Sequence, residues 1–400
     1  MTNLLQKRQT APSTQAHASA SHPAFGLGFR PFFLSAGVFA TLAIPVWLLV
    51  LAGTLRLPTQ LWPSAWHAHE MVFGFCVAVV AGFLLTAVGN WTQQAVPTGA
   101  SLASMWLLWL AGRALVLFDG PVPRGLVAIV DLAFVPTLAL AVGLPIVRSK
   151  NWRNLAFVPL LLLLFVANAA FHFGSPMVAG RAIQFAIDVI VLIAIAIGGR
   201  VIPMFTANAL RLPARDDRGV GTAGFFATAV VALLQLFSGA ERIAGVVAIV
   251  AGALHAVRLS RWRTTATRGL PIVWVLHAGY AWIAIGLVLQ GLAVYFPSWP
   301  RSAPTHALTV GALSTLILGM MSRVSLGHTG RMLAVARPVV AAYVLLSLAA
   351  LVRAVGPIVL PRAYALEVNV AGALWTAAFA LFTWRYWQIL TTPRVDGRPG

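Results

Sequence analysis

The chain has 400 residues, of which 60% are hydrophobic and only 9% charged, with a formal net charge of +19. No soluble fold covers that much apolar surface, so the length does not divide into soluble domains and the chain reads as a polytopic membrane protein. Spans this long and this continuously apolar exclude alternating barrel strands, which makes the fold class all-α.

Residues 1–24, rich in Ser, Ala, Gln and Thr, lack the apolar core of a signal peptide and read as a disordered tail. A single membrane domain over 25–390 follows, then a short tail at 391–400. Hydropathy predicts about twelve spans, at 32–52, 66–90, 101–118, 125–147, 154–173, 182–207, 220–238, 240–257, 270–295, 304–322, 337–356 and 364–388. The basic residues sit between spans, so the charge acts as a topology determinant and nucleic acid drops out as a partner. Loops holding Arg148/Lys150/Arg153, Arg211/Arg215/Arg218, Arg258/Arg261/Arg263/Arg268 and Arg323/Arg331/Arg337 fall on one side, with both termini. The more weakly basic side holds Arg56, Arg124, Arg181, Arg242, Arg301, Arg353 and Arg362, which predicts cytoplasmic N- and C-termini. The lone Cys76 excludes an intrachain disulfide and a CxxCH site, so any haem is held non-covalently, as type b is.

Span 2 opens with WHAHEM, placing His67, His69 and Glu70 at the mouth of an apolar helix, where ionisable groups need partners. Positions 67 and 69 lie about 200° apart on a regular helix and face different neighbours. His67 shares a face with Glu70 and Met71. His172 closes span 5 and His306 opens span 10, at the same membrane face. Imidazole at one depth on three spans suits haem iron or copper, although single histidines at helix ends also serve as ordinary headgroup-level polar residues. The expected pairing is His69 with His306 for a haem, and His67 with His172 or Met71 for copper.

His69-x4-Gly74-x7-Gly82 recurs as His306-x4-Gly311-x7-Gly319, and spans 2, 6 and 10 are centred about 120 residues apart. Either these are equivalent helices of three four-helix repeats, or the glycines match by chance. Asp188 in span 6 suits a proton path, a cation site or a structural pair with Arg113 in span 3. Arg200 and Arg323, near the inner ends of spans 6 and 10, either bind haem propionates or snorkel; Arg113, nearer the histidines, fits propionates better. His277 within span 9 and His328 at the inner face are further candidates.

GFRPFF (28–33), WHAHEMVFGF (66–75), GFLLTAVGNWT (82–92), GRVIPMFTANAL (199–210) and HALTVGALSTLILGMMSRVSLGHTGR (306–331) resemble the NnrS family. The resemblance implies a twelve-span bacterial inner-membrane protein containing haem and copper. Its implied role is the nitric oxide response, linked to denitrification or to relief of nitrosative stress. Nitric oxide or a related small molecule is the implied partner, with an electron donor of unstated identity. The resemblance brings neither a reaction nor a ligand assignment. In architecture the chain is also similar to the main subunit of haem–copper oxidases. Span 6 has no histidine, span 7 no His-His pair and span 10 no His-x-His, so a reductase centre of that kind is not expected. Competing readings are a proton-coupled transporter and a sensor or assembly factor without turnover.

Overall fold

In a computed structural model, residues 22–213 and 218–398 are described. The tail expected at 1–24 falls almost wholly outside them. Twelve helices carry the fold: α1 (Phe29–Leu51), α2 (Pro63–Thr92), α3 (Gly99–Leu117), α4 (Arg124–Arg148), α5 (Trp152–Phe173), α6 (Pro176–Leu210), α7 (Arg218–Leu234), α8 (Glu241–Ser260), α9 (Pro271–Leu292), α10 (Ser302–His328), α11 (Arg337–Val359) and α12 (Pro361–Thr391). No strand occurs among the described residues. Eleven are long and apolar enough to cross a membrane, and α7 is the shorter one, at 17 residues. The span expected at 220–238 is thus shortened, because the chain leaves the helix at Leu234, ahead of Ser238-Gly239.

Consecutive helices pack against one another, and α12 packs on α1, which closes the array into a ring. Arg30 of the GFRPFF segment explains part of that closure. Fully buried, it donates through Nη1 to the carbonyls of Leu390 (3.1 Å) and Thr392 (2.7 Å) at the end of α12. A cation there satisfies carbonyls that the helix itself leaves unpaired. Peripheral helices expose large apolar side chains such as Leu42, Ile129, Leu140 and Phe226, as lipid-facing surfaces do. The most enclosed helices are α2, α6 and α10. Those are the spans whose ionisable groups called for an interior position.

Two of the three are interrupted alike. In α2 the backbone widens to a π-helix over Glu70–Cys76, and in α10 over Ala307–Ser314. Each segment begins directly after the histidine that the two spans share, His69 or His306. A π turn is rare and recurs at functional sites. The likeness between α2 and α10 therefore extends from sequence to backbone, whereas α6 runs as one continuous helix.

The matched glycines have a packing reason. A Cβ on Gly74 would come within 3.2 Å of Arg113 Cδ, and one on Gly82 within 2.9 Å of the Phe33 ring. On α10, a Cβ at Gly311 would stand 2.6 Å from the Trp282 ring, and at Gly319 2.8 Å from Leu276 and Val275. Gly311→Ala is expected to destabilise the protein by ~1–3 kcal/mol, since a rigid indole cannot yield as a flexible chain would. Thermal unfolding of the detergent-solubilised variant checks this, and an unchanged midpoint would show that α9 and α10 separate freely.

Candidate metal centre and cavity

At one end of the ring, four consecutive helices deliver polar side chains to a single buried point. α2 supplies His69 and Glu70, α3 Arg113, α4 Asp131, and α5 Asn168 and His172. All but His172, which is partly exposed, are buried. His69 lies between two acids, with Nδ1 3.0 Å from Glu70 Oε1 and Nε2 3.2 Å from Asp131 Oδ2. Asp131 Oδ2 also accepts from His172 Nε2 (2.9 Å) and Asn168 Nδ2 (2.7 Å). Arg113 forks between the same acids, Nη1 to Glu70 Oε1 and Nη2 to Asp131 Oδ1.

The charges in this cluster do not cancel. Glu70 and Asp131 bring two negative charges and Arg113 one positive, so a second cation is needed to neutralise it. Buried charge that lacks a counter-charge is expensive, so the cluster calls for a proton, on an imidazole or a carboxylate, or for a metal cation. His69, Asp131 and His172 offer one ligand atom each, all within 4.8 Å of one another. Two imidazoles and a carboxylate suit first-row transition ions, and among divalent ions of that row copper binds such N/O donors most tightly. Glu70, on Nδ1, would orient the His69 ring and leave Nε2 for the metal, as an outer hydrogen-bond partner does for metal-bound histidine.

On the other side of α2, His67 faces a cavity of about 170 Å³ enclosed by α1, α2, α6, α10, α11 and α12. His306 and Met71 line it too. The His306 Nδ1 is 2.7 Å from the Ser302 carbonyl oxygen and donates to it, which leaves the ring's lone pair on Nε2. His67 stacks on Trp47 with ring centroids 4.5 Å apart, which fixes its plane. Arg353 reaches the same cavity from α11, and its Nη1 is buried without a hydrogen-bond partner. Most other walls are apolar, including Phe75, Ile187 and Trp375, while Thr305, Thr309 and Ser314 add hydroxyl groups from α10. Two histidines on different helices, an unsatisfied guanidinium N–H and largely apolar walls are the donor set that a non-covalent haem takes, its carboxylates needing a cationic anchor, and the space would have to widen to admit the whole macrocycle.

The structure therefore joins the histidines differently from the expected pairing. His69 meets His172, with ring centroids 5.4 Å apart, and His67 shares its cavity with His306. Helical phase does send His67 and His69 to different neighbours, but only tertiary packing decides which neighbour lies on which side. Arg113 is committed to Glu70 and Asp131, so it is no anchor for propionates, and its partner is not Asp188. Asp188 instead accepts from Gln184 Nε2 (3.3 Å) and Gln235 Nε2 (3.0 Å), inside a glutamine network that also includes Gln290.

The remaining candidates lie apart from both sites. Arg200 donates to Asn154 Oδ1 (2.6 Å), and Arg323 sits 3.7 Å from the Phe205 ring centroid. His277 is held between Thr206 Oγ1 (2.8 Å) and Thr264 Oγ1 (3.0 Å), which reads as a structural clamp. His328 packs against Phe29. Asp131 and Arg353 were missed by sequence reasoning. Asp131 had a signal, being a carboxylate inside the apolar run of α4, whereas Arg353 looked like any other loop-facing arginine.

The family model described as NnrS protein matches residues 23–394. No curated protein matches the chain.

Proposed function

The chain belongs to the NnrS family, and on that footing we propose that it is a haem- and copper-binding inner-membrane protein of the nitric oxide response. It would act by binding or redox processing of nitric oxide or its metal-nitrosyl products. The observation that carries this reading is the division of labour across α2: His67 opens with His306 onto a cavity, while His69 turns to His172 and Asp131. His67 and His306 would hold the haem, with Arg353 on its carboxylates. His69, His172 and Asp131 would hold copper. Reduced haem supplies an iron that takes up nitric oxide, and copper supplies a second one-electron centre.

The protein's own groups set the conditions for that chemistry. Apolar walls around His67 and His306 keep water from competing for the cavity. Arg113 holds Glu70 and Asp131 in place, so that Asp131 is positioned as a ligand and Glu70 fixes the His69 ring. Basic loops on one side support cytoplasmic termini, with both centres toward the opposite face of the membrane.

The test is an optical spectrum and metal analysis of the purified protein. A Soret band that shifts on reduction and again with nitric oxide, together with bound copper, is expected. A preparation with neither cofactor would sink the reading. His172→Ala is further expected to lower copper affinity by about 10–100-fold or more, while leaving the Soret band in place. A dialysis series against a copper chelator measures it, and loss of haem instead would show that the two sites are not separate.

A further inference from the structure

A second cavity, of about 80 Å³, lies between α1, α2, α6, α9 and α10, farther from the histidine end. Every residue lining it is apolar. It shares two wall residues, Ile190 and Leu313, with the histidine cavity. Its deep walls are buried, whereas Phe83, Ala194, Ile197, Val201 and Met320 are half-buried and form a rim. The two spaces therefore adjoin end to end along the central helices, one purely apolar and the other carrying His67, His306 and Arg353.

We infer that the inner chamber is the route by which an uncharged diatomic gas passes from the bilayer to the histidine cavity, an inference that rests on the haem reading of that cavity. The selection is physical. An apolar void of this size stays dry and accepts weakly interacting guests such as xenon. A proton, nitrite or any other ion would have to shed its hydration against walls that offer no hydrogen bond, at a cost of several kcal/mol. An apolar diatomic pays no such penalty and concentrates in hydrocarbon, which is the medium that a half-buried apolar rim on membrane-spanning helices suits. The chamber thus admits the gas while keeping water and charge from the cavity on that side.

Xenon-pressurised crystals of the full chain test the chamber, and carbon monoxide association after flash photolysis tests the route. Xenon density is expected in the inner chamber. Ala194→Phe and Ile193→Trp add bulk at walls that do not line the histidine cavity, and the void itself can take up the added volume. Each is expected to slow association about tenfold, equivalent to ~1.4 kcal/mol of barrier, with an unchanged Soret spectrum. Absence of xenon overturns the inference, and so does an unchanged association rate in both variants. If the protein carries no haem, the haem reading fails. Xenon in the inner chamber then supports the chamber as a gas site, and its absence overturns it.

Discussion

Arg113→Ala is expected to destabilise the protein by ~3–5 kcal/mol, the largest stability loss of any single substitution argued from this structure. The guanidinium bridges Glu70 on α2 and Asp131 on α4, and all three side chains are almost fully enclosed. Removing it leaves two carboxylates that must take up protons or draw water into the interior. His69 and His172 could neutralise that charge fully only by both becoming protonated. Arg113→Lys should recover part of the loss, because an ammonium supplies the charge but not two hydrogen bonds in a fork. The decisive variant is the triple Arg113→Ala/Glu70→Gln/Asp131→Asn, which removes the charges together. It should be markedly more stable than Arg113→Ala alone, since deleting a whole ionic group costs less than orphaning part of it. Unfolding in detergent, followed by size-exclusion profile against temperature, gives the comparison. A triple variant no better than the single one would mean that Arg113 acts through packing of its stem past Gly74 and not through its charge.

The same cluster shows where reading the sequence runs out. The twelve helices and the divergence of His67 from His69 follow from local rules, because a helix fixes side-chain direction within a few residues, although only eleven of the helices are long enough to cross a membrane. Depth was also legible: His67, His69, His172 and His306 do gather at one end of the bundle. Which of them meet was not, since it is the tertiary arrangement that sets α2 against α5 on one side and across a cavity from α10 on the other. Arg353 has the same history. In sequence it is a basic residue near the end of span 11, and only the fold turns it toward the cavity. The π segments had no compositional mark at all. Glu70–Cys76 and Ala307–Ser314 share a single glycine at the same offset, and nothing else in them distinguishes a widened turn from an ordinary one.

Those π segments also bear on why the two histidine sites can stand so close together. Each begins one residue after its histidine, so side chains beyond it are rotated relative to those before it. On α2, His67 and Met71 keep the shared face expected of them toward the cavity, whereas Glu70, the first residue of the π segment, leaves the His67 face and joins Arg113 on the other side. An ionic network and an apolar chamber thereby share one helix without mixing. The charge of Glu70 and Asp131 is compensated locally, and the cavity is left with Arg353 as its cationic group.

From this separation follows the second large effect. On the haem reading proposed above, His306→Ala and His67→Ala are each expected to remove most of the haem, whereas His69→Ala should keep it. A ligand bond and the ring's packing are lost together in the first two, and each leaves an apolar void in a cavity already present. His69→Ala strikes the other centre: both ring nitrogens are engaged by Glu70, Asp131 and Asn168, so its loss should empty copper and destabilise the cluster. The pyridine haemochrome content and copper stoichiometry of the three purified variants separate these outcomes. Haem lost with His69→Ala but retained with His67→Ala would return the residues that hold it to His69 and His306, and would require α2 to rotate on binding its cofactor. Arg353→Gln makes a graded companion, because it keeps the side chain's length while removing the charge. Haem should still bind but dissociate faster, as expected of a group that anchors carboxylates and leaves the iron ligands in place.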